Sequence, residues 1–327
     1  MISPALPAEL KAALEQALHG LQRDAAATRA AAISQTYRDG GNSSPIRTAT
    51  DALAYAGARM PATYAAVAAS LNALREIRPD FAPATLLDVG AGPGTASWAA
   101  AQAFESLSGF TLLDANGALR TLALTLAQDS RLAKANYQLG DARKLLGDAP
   151  EAALVIASYV INELDDSARD GFADALWRKT GDTLLIIEPG TPAGYARILA
   201  VRARLIAQGA RVIAPCPHDN ACPLQPPDWC HFVQRLPRSR LHQHLKGAEL
   251  PYEDEKFIYV ALSRSPPPSR PSRVLTQPEL TKAAITAKLC TPQGLAHVVA
   301  PRRDKPAYAR FRRLSWGDAI STDTARE

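Results

Sequence analysis

The run Leu86-Leu-Asp-Val-Gly-Ala-Gly-Pro-Gly94 says most about the fold of this chain. Its apolar start is typical of a strand buried on both faces, and it leads directly into three alternating glycines. Glycine lets a backbone turn sharply and approach a ligand with no Cβ in the way. The run therefore predicts a strand that ends in a ligand-binding loop, with Gly90, Ala91, Gly92 and Gly94 as its binding residues.

Three aspartates lie where successive strands are expected to end. Asp88 closes the strand before the glycines, and Asp114 closes the next strand about twenty residues later. A carboxylate at that second position suits a ribose diol, because it can accept hydrogen bonds from both hydroxyls. Asp141 follows a third predicted strand and could accept the amino group of an adenine. A helix cap or a surface charge stays an open alternative for Asp141.

Short apolar runs alternate with helical patterns from residue 84 onward. The predicted strands are Thr85–Val89, Thr111–Asp114, Ala153–Ser158 and Thr183–Glu188, with Lys256–Ser263 as a last strand of the same sheet. The helices predicted between them are Ala96–Leu107, Ala118–Gln128, Ser167–Lys179 and Ala193–Gln208. This alternation indicates an α/β protein whose parallel sheet is covered on both sides.

The glycine loop with its acids resembles that of the class I S-adenosylmethionine-dependent methyltransferases, which have a Rossmann-like sheet. The resemblance implies S-adenosylmethionine as the cofactor. A dinucleotide-binding fold fits less well, because its glycine pattern needs glycine at position 95, and that residue is Thr95.

The flanking regions are expected to be an N-terminal helical region and a C-terminal extension. One helical pattern runs from Pro7 to the loop at 39–45, and a second helix begins near Thr48 or Thr50. Pro61 is expected to break that second helix before it resumes. We predict domain boundaries at 1–78 for the helices, 79–264 for the methyltransferase-like domain, and 265–327 for a basic extension. A Cys-rich loop is expected to be inserted at about 211–250.

Three of the four cysteines lie close together in a proline-rich stretch. They are Cys216, Cys222 and Cys230, and Cys290 follows about sixty residues later. The spacings differ from the paired C-x₂-C knuckles of structural zinc sites, whereas an iron–sulfur cluster accepts wider spacings. Zinc, with or without His218 or His231, stays open, as do a disulfide and four unrelated buried thiols.

The C-terminal extension is strongly basic. Between residues 265 and 318 it contains ten lysines and arginines but only three acids. This excess is typical of a surface that binds a polyanion, although a merely solvated face is the alternative. A stiff proline-rich linker at 265–271 leads to a predicted β-hairpin, Ala283–Cys290 with Leu295–Ala300, and a basic helix, Asp304 to Arg313.

Taken with these features, several short motifs resemble the ribosomal small-subunit methyltransferase-like (Rsm-type) family over nearly the whole chain. The motifs are Arg59-Met-Pro-Ala-Thr-Tyr64, Asp88-Val-Gly-Ala-Gly-Pro-Gly94, Asn162-Glu-Leu164, Glu188-Pro-Gly-Thr-Pro192, Ala214-Pro-Cys-Pro-His-Asp219, Asp228-Trp-Cys-His-Phe232, Glu253-Asp-Glu-Lys256 and Trp316-Gly-Asp318. The resemblance implies a [4Fe-4S] cluster on Cys216, Cys222, Cys230 and Cys290. It also implies a cofactor loop at Asp88, Gly90, Gly92 and Gly94, and the small ribosomal subunit with its rRNA as partner.

The sequence leaves open whether methyl transfer occurs, and no catalytic residue is predicted. The segment after the fourth strand, Ser158-Tyr-Val-Ile-Asn-Glu-Leu164, lacks the prolines of the loop that serves methylation of exocyclic base amines. Asn162 and Glu163 are placed to face a substrate or, equally, to cap the next helix. Two hypotheses follow: an rRNA methyltransferase with a structural cluster, and a non-catalytic assembly factor that binds rRNA.

The location expected from the sequence is the cytoplasm. The first residues, Met-Ile-Ser-Pro-Ala-Leu-Pro, have neither the pattern of a signal peptide nor that of a transit segment. No run of eighteen apolar residues is present, so no membrane association is expected.

Overall fold

The computed structural model describes residues 1–321. Three helices come first: α1 (Ala8–Ala17), α2 (Arg23–Arg38) and α3 (Ala49–Ile77). The single helical pattern predicted from Pro7 is therefore wrong, because the chain turns between α1 and α2, where Gly20 has a φ of 82°. Thr48 caps α3 as expected, in a reciprocal pair with Asp51.

The predicted break at Pro61 is also wrong, since α3 continues through it. A proline inside a helix removes one backbone hydrogen bond and costs on the order of 3 kcal/mol. Fully buried side chains on both sides of it, including Ala54, Ala62 and Leu71, pack against the rest of the protein. This packing stabilises α3 as one continuous helix, although proline by itself favours a helix end.

The main sheet has eight strands and confirms the predicted fold class. The strands are β1 (Thr85–Val89), β2 (Gly109–Asp114), β3 (Asn136–Leu139), β4 (Ala152–Ser158), β5 (Thr180–Pro189), β6 (Arg211–Ala214), β7 (Phe232–Pro237) and β8 (Tyr252–Ser263). Their order is β3-β2-β1-β4-β5-β8-β6, with β7 paired to β8. The first five strands are parallel, and β8 is antiparallel to both β5 and β6. This is the Rossmann-like sheet of class I methyltransferases.

Helices cover both faces of this sheet, as the alternation predicted. They are α4 (Thr95–Ala103), α5 (Gly117–Ala127), α6 (Ala142–Asp148), α7 (Asp166–Arg178) and α8 (Pro192–Ala207), with a short 3-10 helix at Ile161–Glu163. Alternate residues of β1 point to opposite sides. Leu86 packs in the core that includes α3 and α4, and Leu87 packs in the core that includes α7 and α8. The buried stretches of the central strands, Leu86–Leu87, Leu154–Ala157 and Leu184–Ile187, are therefore apolar on both faces.

The Cys-rich segment at 211–250 is more than a loop. It contains β6, β7 and a further helix, α9 (Arg240–Lys246). The strand that follows this segment, β8, lies between β5 and β6, so β6 is the edge strand of the sheet. Three of the cysteines lie in the connection between β6 and β7.

A second, five-stranded antiparallel sheet forms the C-terminal extension. It contains β9 (Ser272–Val274), β10 (Glu279–Leu280), β11 (Ala284–Thr291), β12 (Gly294–Pro301) and β13 (Ala319–Ile320), with helix α10 (Lys305–Phe311). The predicted hairpin is present as β11 and β12, paired from Ala284–Pro301 to Thr291–Gly294. Val274, Ile285, Leu289 and Phe311 give it a small core of its own.

The proposed domain boundaries at 78 and 264 stay a prediction. The final residues of the predicted extension, 322–327, lie outside the described part. Within residues 1–321, no helix combines the length and apolarity needed to cross a membrane.

Candidate functional site

A cavity of about 590 Å³ opens at the carboxyl ends of the parallel strands. Of the predicted cofactor residues, Gly90, Ala91, Gly92, Asp114 and Asp141 line it. Gly94 and Asp88 do not contact this cavity. Its size falls within the range of roughly 300–1,000 Å³ that is usual for small-molecule sites.

The glycine loop is held in backbone conformations that need glycine. Gly90 has a φ of 73°, and a Cβ there would lie 2.5 Å from Cγ2 of Val160. Gly92 has a φ of 54°, its N–H donates to Oδ2 of Asp114 at 2.8 Å, and its carbonyl accepts from the Tyr137 hydroxyl at 2.5 Å. The loop is therefore fixed by its neighbours before any ligand arrives.

Asp88 lies beneath the loop. Its Oδ2 accepts hydrogen bonds from the Ser97 backbone N–H at 3.0 Å and from the Ser97 hydroxyl at 2.7 Å, whereas its buried Oδ1 has no partner. Burial raises the pKa of Asp88 to about 7. This aspartate thus anchors the first turn of α4 and supports the loop from below.

Asp114 and Asp141 line the cavity but also bind the backbone. Asp114 accepts from the N–H groups of Gly92 and Asn116, at 2.8 and 2.7 Å, and burial raises its pKa. Asp141 caps α6 by accepting from the Arg143 N–H, and its ion pair with the Arg143 guanidinium, at 2.6 Å, lowers its pKa. The helix-cap alternative for Asp141 is therefore observed. Free lone pairs on both carboxylates leave the predicted ribose and adenine contacts open.

The N-terminal helices form a roof over the cavity that the sequence did not predict. The roof residues that line the cavity are Tyr37, Asn42, Ser43, Ser44, Tyr55, Met60 and Thr63. The side-chain amide of Asn116, which caps α5, donates to the carbonyls of Ser43 and Ile46 at 3.1 and 2.9 Å. The one signal in the sequence was the family motif at 59–64, which lies in α3.

The end of β4 brings a further acid to the cavity. Tyr159 there has a φ of 56°, uncommon for a residue other than glycine, and its hydroxyl donates to Glu255 Oε1 at 3.0 Å. Glu163 lines the cavity, and burial together with the nearby Asp114 charge raises its pKa to about 7. Asn162 does not line the cavity, and its buried Oδ1 has no hydrogen-bond partner.

The four cysteines line a second, apolar cavity. Cys216 follows β6, Cys222 and Cys230 precede β7, and Cys290 lies on β11 of the C-terminal sheet. None of them is in a disulfide. The structure thus brings together cysteines from distant parts of the chain. Through Cys290, the C-terminal sheet contributes to a cavity that is otherwise lined largely by residues of the main sheet and its helices.

Two buried arginines border this cavity of thiols. Arg202 and Arg273 are 3% and 2% exposed, and both line the cavity. Nη2 of Arg202 donates to the His218 carbonyl at 2.7 Å, while its buried Nε has no partner. Arg273 reaches a carboxylate, that of the half-exposed Glu76, only at 3.7 Å. Buried positive charge of this kind favours an anionic occupant.

Burial disfavours the thiolate form of three of the cysteines. Burial raises the pKa of Cys216 and Cys230, and that of Cys290 to about 12. The Tyr195 hydroxyl donates to Sγ of Cys222 at 3.2 Å. A bound metal centre would supply the positive charge that deprotonates such thiols.

The arrangement of the cysteines differs from that of a single-ion site. Among residues 1–321, no three histidine, cysteine, aspartate or glutamate side chains converge closely enough to hold one metal ion. The four thiols surround a cavity instead, and the ligands of an iron–sulfur cluster stand farther apart than those of one ion. Four cysteines are a donor set that both an iron–sulfur cluster and zinc accept.

Aromatic residues brace the cysteine loop. The indole N–H of Trp229 donates to the Gly190 carbonyl at 3.1 Å, and that of Trp316 donates to the His231 carbonyl at 2.9 Å. The His231 ring stacks on Trp229 and meets Trp316 edge-on. His231 thus stabilises the loop, as does His218, which contacts the Asn220 carbonyl and Sγ of Cys290.

Comparisons with known proteins point to one family. A model of the family described as mitochondrial small ribosomal subunit Rsm22 matches residues 49–321. The human mitochondrial ribosome assembly protein METTL17 is 32% identical over 288 residues, which cover 82% of this chain and 62% of that protein. A fission yeast protein, mitochondrial Rsm22-cox11 tandem protein 2, is 23% identical over 94% of this chain and 48% of its own length. The chain thus spans about half to three-fifths of these relatives.

Two methyltransferases are among the solved structures that the chain resembles. The magnesium protoporphyrin IX methyltransferase of Synechocystis PCC 6803, with bound SAH, has a TM-score of 0.41 at 12% identity, covering 62% of this chain and 84% of that chain. The precorrin-6y C5,15-methyltransferase of Geobacter metallireducens GS-15 also has a TM-score of 0.41, at 13% identity, covering 60% and 85%.

The expectation of a cytoplasmic location is wrong, because the matched family and these curated relatives are all described as mitochondrial. That expectation depended on the composition of the first residues.

Proposed function

The chain belongs to the Rsm22 family, and we propose that it is a small ribosomal subunit assembly protein that binds S-adenosylmethionine and rRNA. The observation that carries the proposal is the cavity in which a glycine loop and the acids of β2 and β3 meet, inside a family-matched methyltransferase fold. Asp114 and Asp141 would hold the nucleoside, and the N–H groups of the glycine loop would face the rest of the cofactor.

We further propose that the four cysteines hold a [4Fe-4S] cluster that joins the C-terminal sheet to the main domain. The support is chemical: four thiols around one cavity, of which Cys290 is buried and the other three are partly buried, together with an apolar wall and two buried arginines, suit a group with net negative charge. Cys290 is the one ligand that comes from the C-terminal sheet, so the cluster would tie β11 to the loop around β6 and β7. Its role would be structural.

The rRNA contact is assigned to the C-terminal extension. Six of its basic residues have exposed side chains: Lys282, Arg302, Arg303, Lys305, Arg312 and Arg313. Three others turn inward, because Arg270 pairs with Asp219, Lys288 pairs with Asp228, and Arg273 is buried. The exposed group lies around α10 and the turns next to it, so one face would contact the phosphates.

Methyl transfer to rRNA is the first candidate activity, since the cofactor donates a methyl group. Assembly without transfer is the second, and one observation favours it. The segment after β4 turns Asn162 away from the cavity, and Tyr37 and Tyr55 roof the same cavity. These two tyrosines therefore leave less room for an rRNA base to enter the cavity.

Labelled cofactor separates these two candidates. Immature small subunits are incubated with the protein and methyl-labelled S-adenosylmethionine, and label in the rRNA is counted. Gly92→Leu places a side chain at a φ of 54° beside the cavity and should abolish both binding and any transfer. Gly171→Ala, at an open position in α7, is the matched control. Label that depends on Gly92 identifies an enzyme, whereas cofactor binding without label identifies an assembly factor.

A further inference from the structure

Glu163 is a cavity acid for which neither the fold nor the family comparison supplies a role. It closes the 3-10 helix that directly follows β4, and its side chain lines the same cavity as Gly92 and Asp114. Tyr37 and Ser43 of the N-terminal roof line the cavity beside it. The Glu163 side chain therefore lies between the N-terminal roof and the carboxyl end of β4.

The strand order indicates which part of the cofactor would lie beside Glu163. Across the sheet, the cavity residues follow the order Asp141 after β3, Asp114 after β2, the glycine loop after β1, and Glu163 after β4. If the first two hold adenine and ribose, the cofactor extends over β1 towards β4. The atom next to the ribose in that direction is the sulfur, which is a positively charged sulfonium in S-adenosylmethionine.

The charges of the cavity favour a cation at that end. Four carboxylates line it, those of Asp114, Asp141, Glu163 and Asp165, against the single guanidinium of Arg143. Arg143 is bound to Asp141 at the adenine end, at 2.6 Å. The groups with the largest effect on Glu163 include two acids, Asp114 and Glu188, both of which raise its pKa. A cationic ligand would offset this negative charge.

Given the proposed function, in which the cavity holds S-adenosylmethionine, we infer that Glu163 selects the sulfonium cofactor over its neutral product. S-Adenosylhomocysteine differs from the cofactor by the methyl group and the positive charge. A carboxylate near the sulfur attracts the positively charged sulfonium of S-adenosylmethionine and has no such charge attraction for the neutral thioether of S-adenosylhomocysteine. In an enzyme, this preference would favour dissociation of S-adenosylhomocysteine after methyl transfer. In an assembly factor, it would make the protein respond to S-adenosylmethionine rather than to S-adenosylhomocysteine.

Binding of three ligands to the full chain tests this inference. Isothermal titration calorimetry is run with S-adenosylmethionine, S-adenosylhomocysteine and sinefungin, which carries an ammonium group where the cofactor has its methyl sulfonium. Glu163→Gln should weaken both cationic ligands about tenfold and the neutral thioether less than about twofold. Glu151→Gln, an exposed acid just before the opposite end of β4, should change none of them.

The pH dependence gives a second readout. Because the pKa of Glu163 is raised to about 7, its charge grows between pH 6 and pH 8. The preference of the wild type for S-adenosylmethionine over S-adenosylhomocysteine should grow several-fold across that range, and Glu163→Gln should remove the change. Asp88 titrates in the same range but supports the loop for both ligands, so the ratio isolates Glu163.

The outcomes separate this inference from the proposed function. Equal weakening of all three ligands would place Glu163 on the α-ammonium group that they share, and it would overturn the inference while cofactor binding stands. An unchanged preference in Glu163→Gln would do the same. If the wild type binds none of the three, the proposed function fails and the inference fails with it.

Discussion

The two cavities of this protein differ in charge, lining and origin. The cavity at the glycine loop is polar and is lined by four carboxylates, whereas the cysteine cavity is apolar and is bordered by two buried arginines. The first suits a cationic ligand and the second an anionic one. The comparison shows that one sheet can support two sites of opposite charge when they lie on different elements.

The two cavities also depend on the fold in different ways. The glycine loop and its acids lie at adjacent strand ends within residues 88–141, so most of the first site forms with the sheet itself. The second site needs Cys290, which is 60 residues beyond Cys230 and lies on another sheet. Loss of a residue should therefore act locally in the first cavity and on docking of the C-terminal sheet in the second.

Cys290→Ser should give the largest effect. Removing one of four ligands is expected to lower the iron content at least about tenfold. Residues 266–321 should become sensitive to protease, because the link from β11 to the cysteine loop is lost. Affinity for S-adenosylmethionine should stay within about twofold of wild type.

Metal analysis, limited proteolysis and calorimetry measure these three quantities, with Thr291→Ser on the same strand as control. Stoichiometric zinc without iron in the anaerobically isolated wild type would reject the cluster. Equal protease resistance in both variants would reject the docking role of Cys290.

Gly90→Ala tests the first cavity in the same way. A Cβ would meet Val160 at 2.5 Å in a backbone conformation that disfavours alanine, so the free energy of unfolding should fall by roughly 3 kcal/mol. Cofactor binding should be lost, while iron is retained. Urea unfolding and calorimetry measure the effect, and Gly147→Ala, at an open helical position, should be neutral or slightly stabilising. Normal cofactor affinity in Gly90→Ala would show that the loop geometry is dispensable.

Asp88→Asn should give a smaller effect that depends on pH. The folded-state pKa of Asp88, about 7, lies above its value of roughly 3.9 in the unfolded chain. The protonated acid thus stabilises the fold fully below pH 4, and this contribution is lost as the pH rises towards 7. Asparagine cannot ionise. The free energy of unfolding of the variant, relative to that of the wild type, should therefore rise by roughly 2 kcal/mol between pH 5 and pH 7.5.

Urea unfolding at the two pH values measures this difference. Asp129→Asn, an exposed acid, is the control and should follow the wild type. A constant difference between Asp88→Asn and the wild type would mean that the buried carboxylate does not titrate in this range.

Arg313→Gln should give the smallest effect. If Arg313 contacts a phosphate, its loss should weaken rRNA binding modestly for every sequence and lower the salt dependence of log affinity by about 1. Filter binding at several salt concentrations measures the slope. Arg178→Gln, exposed on α7, should leave it unchanged. Identical slopes in both variants would place the rRNA surface elsewhere.

Where the chain is locally determined, the sequence predicted the structure well. The strand, glycine loop and helix from Thr85 to Ala103 follow from buried apolar residues and from glycines that alone adopt the turn. The C-terminal hairpin was predicted for the same reason. The family motifs identified the four cysteines as one group, and they line one cavity.

Other features needed the whole fold. Pro61 stays inside α3 because buried neighbours outweigh the lost hydrogen bond. The strands within 211–250 exist because β8 inserts between β5 and β6, a pairing of distant segments that no local pattern encodes. The Asp88 side chain lies beneath the glycine loop, whereas the Glu163 side chain lines the cavity. Neither direction follows from the local sequence, because each depends on the elements that pack around the side chain.

By itself, the sequence determined the sheet class and the glycine loop, and it singled out four cysteines that line one cavity. Those features depend on steric preferences and burial patterns within a few residues. Only the tertiary structure decided which acids face the cavity at the glycine loop, that helices roof this cavity, and that two arginines border the cysteines. Such placements depend on contacts between segments far apart in the chain, whose energies outweigh local preferences once the core has formed.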